Sequence, residues 1–213
     1  MNLLIRPQRT GLNISHLHNR VMTGLNEYLD ALKKAADDVV VSDQSGLLLD
    51  PDETVARIIE LMRNGSKKGN KIIFVGNGGS AAISSHMAID YSKNGRLPAV
   101  SFNDGAALTC IGNDLGYENV FSEQIKLHAK PEDLLIAISS SGASQNILNA
   151  LTEARAVGCN IITMSGFSEQ NSLRQLGDIN WYVQSSEYGF VEITHLTLCH
   201  AILDNLMGWD AHK

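Results

Sequence analysis

The chain has 213 residues, 44% of them hydrophobic, with 17 Lys and Arg against 23 Asp and Glu and a net charge of −6. That balance excludes intrinsic disorder, and its acidic sign argues against non-specific nucleic-acid binding, which needs a basic face. The three cysteines, Cys110, Cys159 and Cys199, are widely spaced and form no CxxC. No apolar run reaches the roughly 18 residues of a membrane span, and the polar start MNLLIRPQRT is read as no signal peptide. A cytoplasmic, reduced protein without nucleic-acid or membrane partners is expected.

From 16 to 41 the residues Val21, Leu25, Tyr28, Leu29, Leu32 and Ala36 recur at three- and four-residue steps, which predicts an amphipathic helix. Pro51 opens a second helix with Asp50 as its cap and Val55, Ile58, Ile59 and Met62 on its buried face. A different rhythm begins at Lys71. Short Val/Ile-rich runs at 72–75, 99–102, 134–138, 160–164 and 179–183 alternate mostly with helical patterns, such as 80–92 and 144–156. Strands apolar on both faces imply a parallel sheet covered on both sides, here of five strands. Gly158 sits where a helix C-terminal glycine belongs, and roughly 190–207 reads as a strongly apolar helix. The organisation is one α/β domain over 1–213, with an N-terminal helical arm at 1–68 and a core at 71–208.

Two strand-to-helix turns carry unusual chemistry. In the first, Gly76-Asn77-Gly78-Gly79-Ser80, three glycines let backbone N–H groups approach a ligand at a helix N-terminus, and Ser80 adds a hydroxyl. It is neither GxGxxG with a ribose-binding acid nor GxxxxGK[ST], so a dinucleotide or nucleoside triphosphate fits poorly. A tight turn that binds nothing has the same sequence. In the second, Ser139-Ser140-Ser141-Gly142-Ala143-Ser144, four hydroxyls at a helix N-terminus suit a phosphate monoester held by neutral donors. One serine suffices for capping, so four around a glycine favour the anion. Together the turns point to a small phosphorylated, polyhydroxylated substrate.

GNGGSAA at 76–82, CIGNDLGYENVFS at 110–122 and ISSSGAS at 138–144 resemble the sugar isomerase (SIS) domain family, and within it the phosphoheptose isomerases. The resemblance spans nearly the whole chain. It implies a three-layer, flavodoxin-like sandwich and an enzyme that interconverts sedoheptulose 7-phosphate and a heptose 7-phosphate for lipopolysaccharide or capsule. It places the phosphate on Ser139, Ser140, Ser141 and Ser144. The family's sugar-facing Asn and Ser map to Asn77 and Ser80, with Gly78 and Gly79 between them counted as substrate-binding, and its substrate-contacting Asp maps to Asp104. Family members are tetramers with sites between subunits. One SIS relative is a non-catalytic adaptor that binds the replication initiator DnaA. It lacks the carboxylate and histidine that stand here at Asp90 and His200. A sugar-phosphate sensor is the third reading.

His86 and Asp90 are four residues apart and share a helix face; Glu192 and His200, eight apart, lie roughly on one side of the last helix. Spacing alone fits solvated or core polar residues as well as a zinc site. The resemblance implies the zinc site, one ion held by His86, Asp90, Glu192 and His200, with Glu192 also placed against substrate. Moving a carbonyl between C1 and C2 requires a base, which lifts the proton alpha to the carbonyl, and an acid partner, and these roles are assigned to Asp90 and His200. His195 is read as structural, and His16, His18, His128 and His212 receive no role. This chain departs from the family at four positions. Asp90 stands for Glu, one methylene shorter, and Glu192 for Gln. Asn94 stands for an Arg and Gly189 for an Asp.

Overall fold

The computed structural model describes residues 24–211. In chain order the elements are α1 (Leu25–Asp37), β1 (Val40–Ser42), α2 (Pro51–Lys67), β2 (Ile72–Gly76), α3 (Gly79–Lys93), β3 (Ala99–Ser101), α4 (Gly105–Leu115) and α5 (Ser122–His128). They continue with β4 (Leu134–Ser139), α6 (Gln145–Val157), β5 (Asn160–Ser165), β6 (Ile179–Tyr182) and α7 (Tyr188–Met207). The sheet runs β1-β6-β5-β4-β2-β3. The five expected strands pair in parallel, and β1 adds a sixth, antiparallel to β6.

Side-chain alternation divides each central strand between two cores. Ile72, Phe74, Ile136 and Ile138 face one side, where Met62, Met87 and Leu203 of α2, α3 and α7 cover them. Ile73, Val75, Leu135 and Ala137 face the other, against Ile125 of α5 and Ile147 and Leu151 of α6. Burial on both faces explains the unbroken apolar runs in β2 and β4. The edge strand β3 is the exception, with Val100 38% exposed.

Asp50 caps α2 by accepting from the Glu53 N–H at 2.9 Å, and Gly158 ends α6 at φ +92°, as the sequence predicts. The first helix is shorter than its periodicity suggests. Its portion at 16–23 lies outside the described residues, and its end is replaced by β1, where Val41 is buried. In the β-branched run Val39-Val40-Val41, Val40 and Val41 pair with Tyr182 and Trp181 of β6, a tertiary gain that outweighs continuing the helix. The segment expected as an arm thus supplies an edge strand and a covering helix. Helices α4 and α5, between β3 and β4, carry no strong periodicity and were not expected from sequence. Among the described residues no helix is long and apolar enough to cross a membrane.

Candidate active site

The chain runs from β2 outward to β3, then returns to β4 on the other side of β2. Doubly wound sheets open a crevice at such a reversal, beyond the carboxyl ends of the two strands. Here those ends carry the glycine turn and the serine loop. Between them lies a cavity of about 250 Å³, lined by both segments and by Tyr188 and Glu192 of α7.

The glycine turn is shaped by close approach. Gly78 has φ +55° and ψ −122°, a conformation open in practice to glycine alone. A Cβ on Gly79 would stand 2.4 Å from the Glu192 carboxylate oxygens. No side chain caps α3 and no acidic residue occupies its first turn; Ala81 and Ala82 N–H donate to the Gly78 carbonyl (3.1 Å each), and the N–H groups of Gly79 and Ser80 are left to the cavity. Asn77 lines the wall, but its amide is engaged in a reciprocal pair with Asn146 (2.8 and 2.9 Å) and accepts from the Tyr117 hydroxyl at 3.1 Å.

The serine loop answers the capping question raised by its sequence. Ser144 holds the N-cap position of α6, yet its side chain makes no capping bond; its Oγ lies 3.5 Å from Ser139 Oγ. Ser141 Oγ accepts from the Ala143 N–H at 3.3 Å. Ser140 Oγ is buried without a hydrogen-bond partner. Hydroxyls of this kind are unspent on the protein and open to an oxyanion. Gly142 turns the loop at φ +61°, where a Cβ would collide with Asn171 Oδ1 at 2.0 Å. Asn171 in turn donates to Ser165 Oγ (3.2 Å) and to the carbonyls of Gly166 (3.1 Å) and Ser168 (2.8 Å). It therefore props the serine loop from the neighbouring β5–β6 connection.

The second group stands farther along α3 and α7. Ligand atoms of His86, Asp90 and His200 all lie within 4.8 Å of one another. His86 Nε2 is 3.5 Å from Asp90 Oδ2, and the His86 and His200 rings are 5.4 Å apart between centroids. Two imidazoles and a carboxylate form a donor set that suits zinc, with a fourth position left for water or substrate. Asn94 Nδ2 donates to Asp90 Oδ1 at 3.4 Å, so both Asp90 oxygens have neighbours.

Of the expected site residues, Asn77, Gly78, Gly79, Ser80, Ser139, Ser140, Ser141, Ser144 and Glu192 are brought to one cavity. His86, Asp90 and His200 are brought to one cluster, but Glu192 is not: its carboxylate rests over Gly79 instead. Asp104 lines neither group; its carboxylate caps α4 through the Ala107 N–H at 2.9 Å. His195 is fully buried and its Nε2 lies 3.1 Å from the Ser165 carbonyl, which assigns the proton to that nitrogen. Burial pushes its pKa down to about 4, so the ring is neutral at pH 7. Tyr188, Asn146 and Asn171 were not singled out in sequence. An isolated Asn or Tyr carries no periodic or motif signal, and these reach the site only through strand order.

Residues 27–166 match the SIS domain family. The chain is 40% identical over 167 residues to the phosphoheptose isomerase of Aliarcobacter butzleri, covering 70% of this chain and 88% of that one. It is 33% identical over 178 residues to that of Pelobacter propionicus, covering 81% and 90%. Among solved structures it resembles the phosphoheptose isomerase of Neisseria gonorrhoeae, with TM-score 0.74 and 28% identity over 86% of this chain and 97% of that one. The enzyme from Francisella tularensis gives TM-score 0.74 and 25% identity, over 88% and 100%. The family match, the identities and the likeness of fold agree: this chain belongs to the SIS domain family, within its phosphoheptose isomerases.

Proposed function

We propose that the protein is an aldose–ketose isomerase that converts sedoheptulose 7-phosphate into D-glycero-D-manno-heptose 7-phosphate through an enediol. The observation that carries this reading is the crevice at β2 and β4. There an uncapped α3 N-terminus shares the cavity with the serine loop, whose Ser140 hydroxyl has no partner in the protein and whose Ser144 hydroxyl makes no capping bond. Ser139, Ser140, Ser141 and Ser144 would hold the phosphate as neutral donors, and the glycine turn with Ser80 would meet the sugar hydroxyls. Relatives named for the same activity support the substrate class.

His86, Asp90 and His200 would hold one zinc ion per site. When bound, the ion supplies Lewis-acid polarisation of the substrate oxygens. The assembly would be a cytoplasmic homotetramer with sites between subunits, a reading supported by the apolar stripe of α1, where Leu25 and Leu29 are exposed. The product would feed nucleotide-activated heptose for lipopolysaccharide or capsule.

The test is direct. Purified protein is given a panel of ketose phosphates with and without zinc, and aldose formation is followed by NMR. Sedoheptulose 7-phosphate should turn over fastest. Binding without turnover of any of them would move the protein to the sensor or adaptor class. Metal analysis of protein purified without chelator should find zinc, and a His86→Ala, His200→Ala double variant should lose it. Zinc absent from the wild type, or equal in both proteins, contradicts the metal assignment.

A further inference from the structure

The cavity between the glycine turn and the serine loop has one aromatic side chain in its wall. Its other lining residues are Asn, Gly, Ser and Glu, and Tyr188 alone offers a large apolar face. Tyr188 opens α7, one helical turn before Glu192, so the two side chains share a face of the helix and the same wall. The Tyr188 residue is 63% exposed, and a ring so open shapes a site only if something holds it in place.

Here the ring is backed. Phe167, from the β5–β6 connection, meets it edge-on, with centroids 4.7 Å apart and planes at 85°. Phe167 has φ +57°, a left-handed conformation that a bulky residue rarely adopts. Its N–H donates to the Ser185 carbonyl at 2.8 Å, and its carbonyl accepts from the Tyr182 hydroxyl at 3.1 Å. Its side chain packs with the buried Val183 and Val191. Backbone strain of this kind persists where the surroundings over-determine it. The first turn of α7 is also held from α1. Tyr28 meets Phe190 edge-on at 4.8 Å, and its hydroxyl would stand 2.8 Å from a Cβ on Gly189. Among the described residues no hydrogen bond engages the Tyr188 hydroxyl.

A polyhydroxylated carbon chain has polar edges, its hydroxyls, and apolar C–H faces. The serines and the glycine turn answer the polar groups. A ring answers a C–H face, through dispersion and the exclusion of water. We propose that Tyr188 is a specificity-determining residue. Its ring packs against the C–H face of the sugar chain, while the phosphate stays with the serine loop. Longer chains lay more C–H surface on the ring, so it favours a seven-carbon sugar over shorter ones. The proposal deepens the sugar-phosphate reading above and rests on it.

Calorimetry of Tyr188→Ala with three probes tests this. Sedoheptulose 7-phosphate should bind about tenfold more weakly than to the wild type, the size of one aromatic contact. Ribulose 5-phosphate, two carbons shorter, should lose no more than about threefold, and inorganic phosphate should bind as before. Tyr188→Phe, which keeps the ring, should hold sedoheptulose 7-phosphate within about threefold of the wild type. In turnover by Tyr188→Ala, KM should rise about tenfold while kcat stays within about threefold. A merely structural role, through a loosened α7, would weaken all three ligands together. Equal losses across the three probes, equal losses for the two sugars, or an unchanged affinity for sedoheptulose 7-phosphate overturn the proposal. So does a Tyr188→Phe as weak as Tyr188→Ala, which would credit the hydroxyl. A wild type that binds the sugar phosphates but isomerises none sinks the isomerase reading alone, because the affinities still decide the role of the ring. A wild type that binds no sugar phosphate sinks both.

Discussion

The two ends of the sheet treat buried polar groups in opposite ways. At the amino ends of the strands each buried charge is answered. Asp133, fully buried ahead of β4, accepts from the Lys71 N–H (2.9 Å), the Lys130 N–H (3.0 Å), Asn70 Nδ2 (3.1 Å) and the Lys71 ammonium. The half-buried Asp178, ahead of β6, likewise accepts from Arg155 and from the Ile161 N–H. At the carboxyl ends, Ser140 Oγ, Asn171 Oδ1 and Asn103 Oδ1 are buried without partners. Unpaired buried polar atoms cost roughly 1–3 kcal/mol each, so a fold retains them where something else makes use of them. The amino end stabilises the sheet and the carboxyl end is arranged for a ligand.

The largest expected effect separates the two ends by stability. Asp133→Ala strands the Lys71 ammonium and two backbone N–H groups and should cost about 3–5 kcal/mol in urea denaturation, with activity per folded molecule kept. Burial pushes the Asp133 carboxyl up, but its bonds to Lys71, Lys130 and Asn70 outweigh this and hold it below the usual range. Its contribution is therefore present above the ordinary carboxylate pKa and lost as pH falls through the folded value. A small stability loss would mean that this end is no better built than the other.

The converse holds at the carboxyl end. Ser140→Ala with Ser144→Ala should weaken sugar-phosphate binding about ten- to a hundredfold in calorimetry, at about 0.5–1.5 kcal/mol per neutral hydrogen bond. Stability should be unchanged or slightly raised, because a buried unpaired hydroxyl is removed. Lost stability with unchanged binding would reverse the comparison.

A smaller effect comes from His195, buried between α7 and β5. Its folded pKa of about 4 lies below the ordinary 6.5, so the unfolded chain binds the proton first on acidification. Stability should then fall by about 1 kcal/mol between pH 7 and 5.5 on this account, and His195→Gln should flatten that part of the profile. An unchanged slope in the variant would assign the loss to other groups.

What sequence could reveal follows the range of the interactions. The parallel strands were legible because burial on both faces leaves continuous Val/Ile runs, and Asp50 and Gly158 because capping is local. Strand β1 was hidden, since three residues after a helical stripe have no period of their own and Val41 is fixed by β6. The serine and glycine turns stood out as clusters of one chemistry. Asn171 did not, because it reaches Gly142 only when β4 and β5 lie side by side. The eight-residue spacing of Glu192 and His200 aligns them but also sets them about 12 Å apart along α7, so it does not fix a shared ligand.

Hydrogen exchange of backbone amides with and without sedoheptulose 7-phosphate tests the central claim most directly. Saturating ligand should protect amides at 77–81 and 139–145, at the carboxyl ends of β2 and β4, and leave those at 69–71 and 130–133 unchanged. Protection confined to the amino ends, or none under conditions where calorimetry shows binding, would contradict the placement of the substrate between the glycine turn and the serine loop.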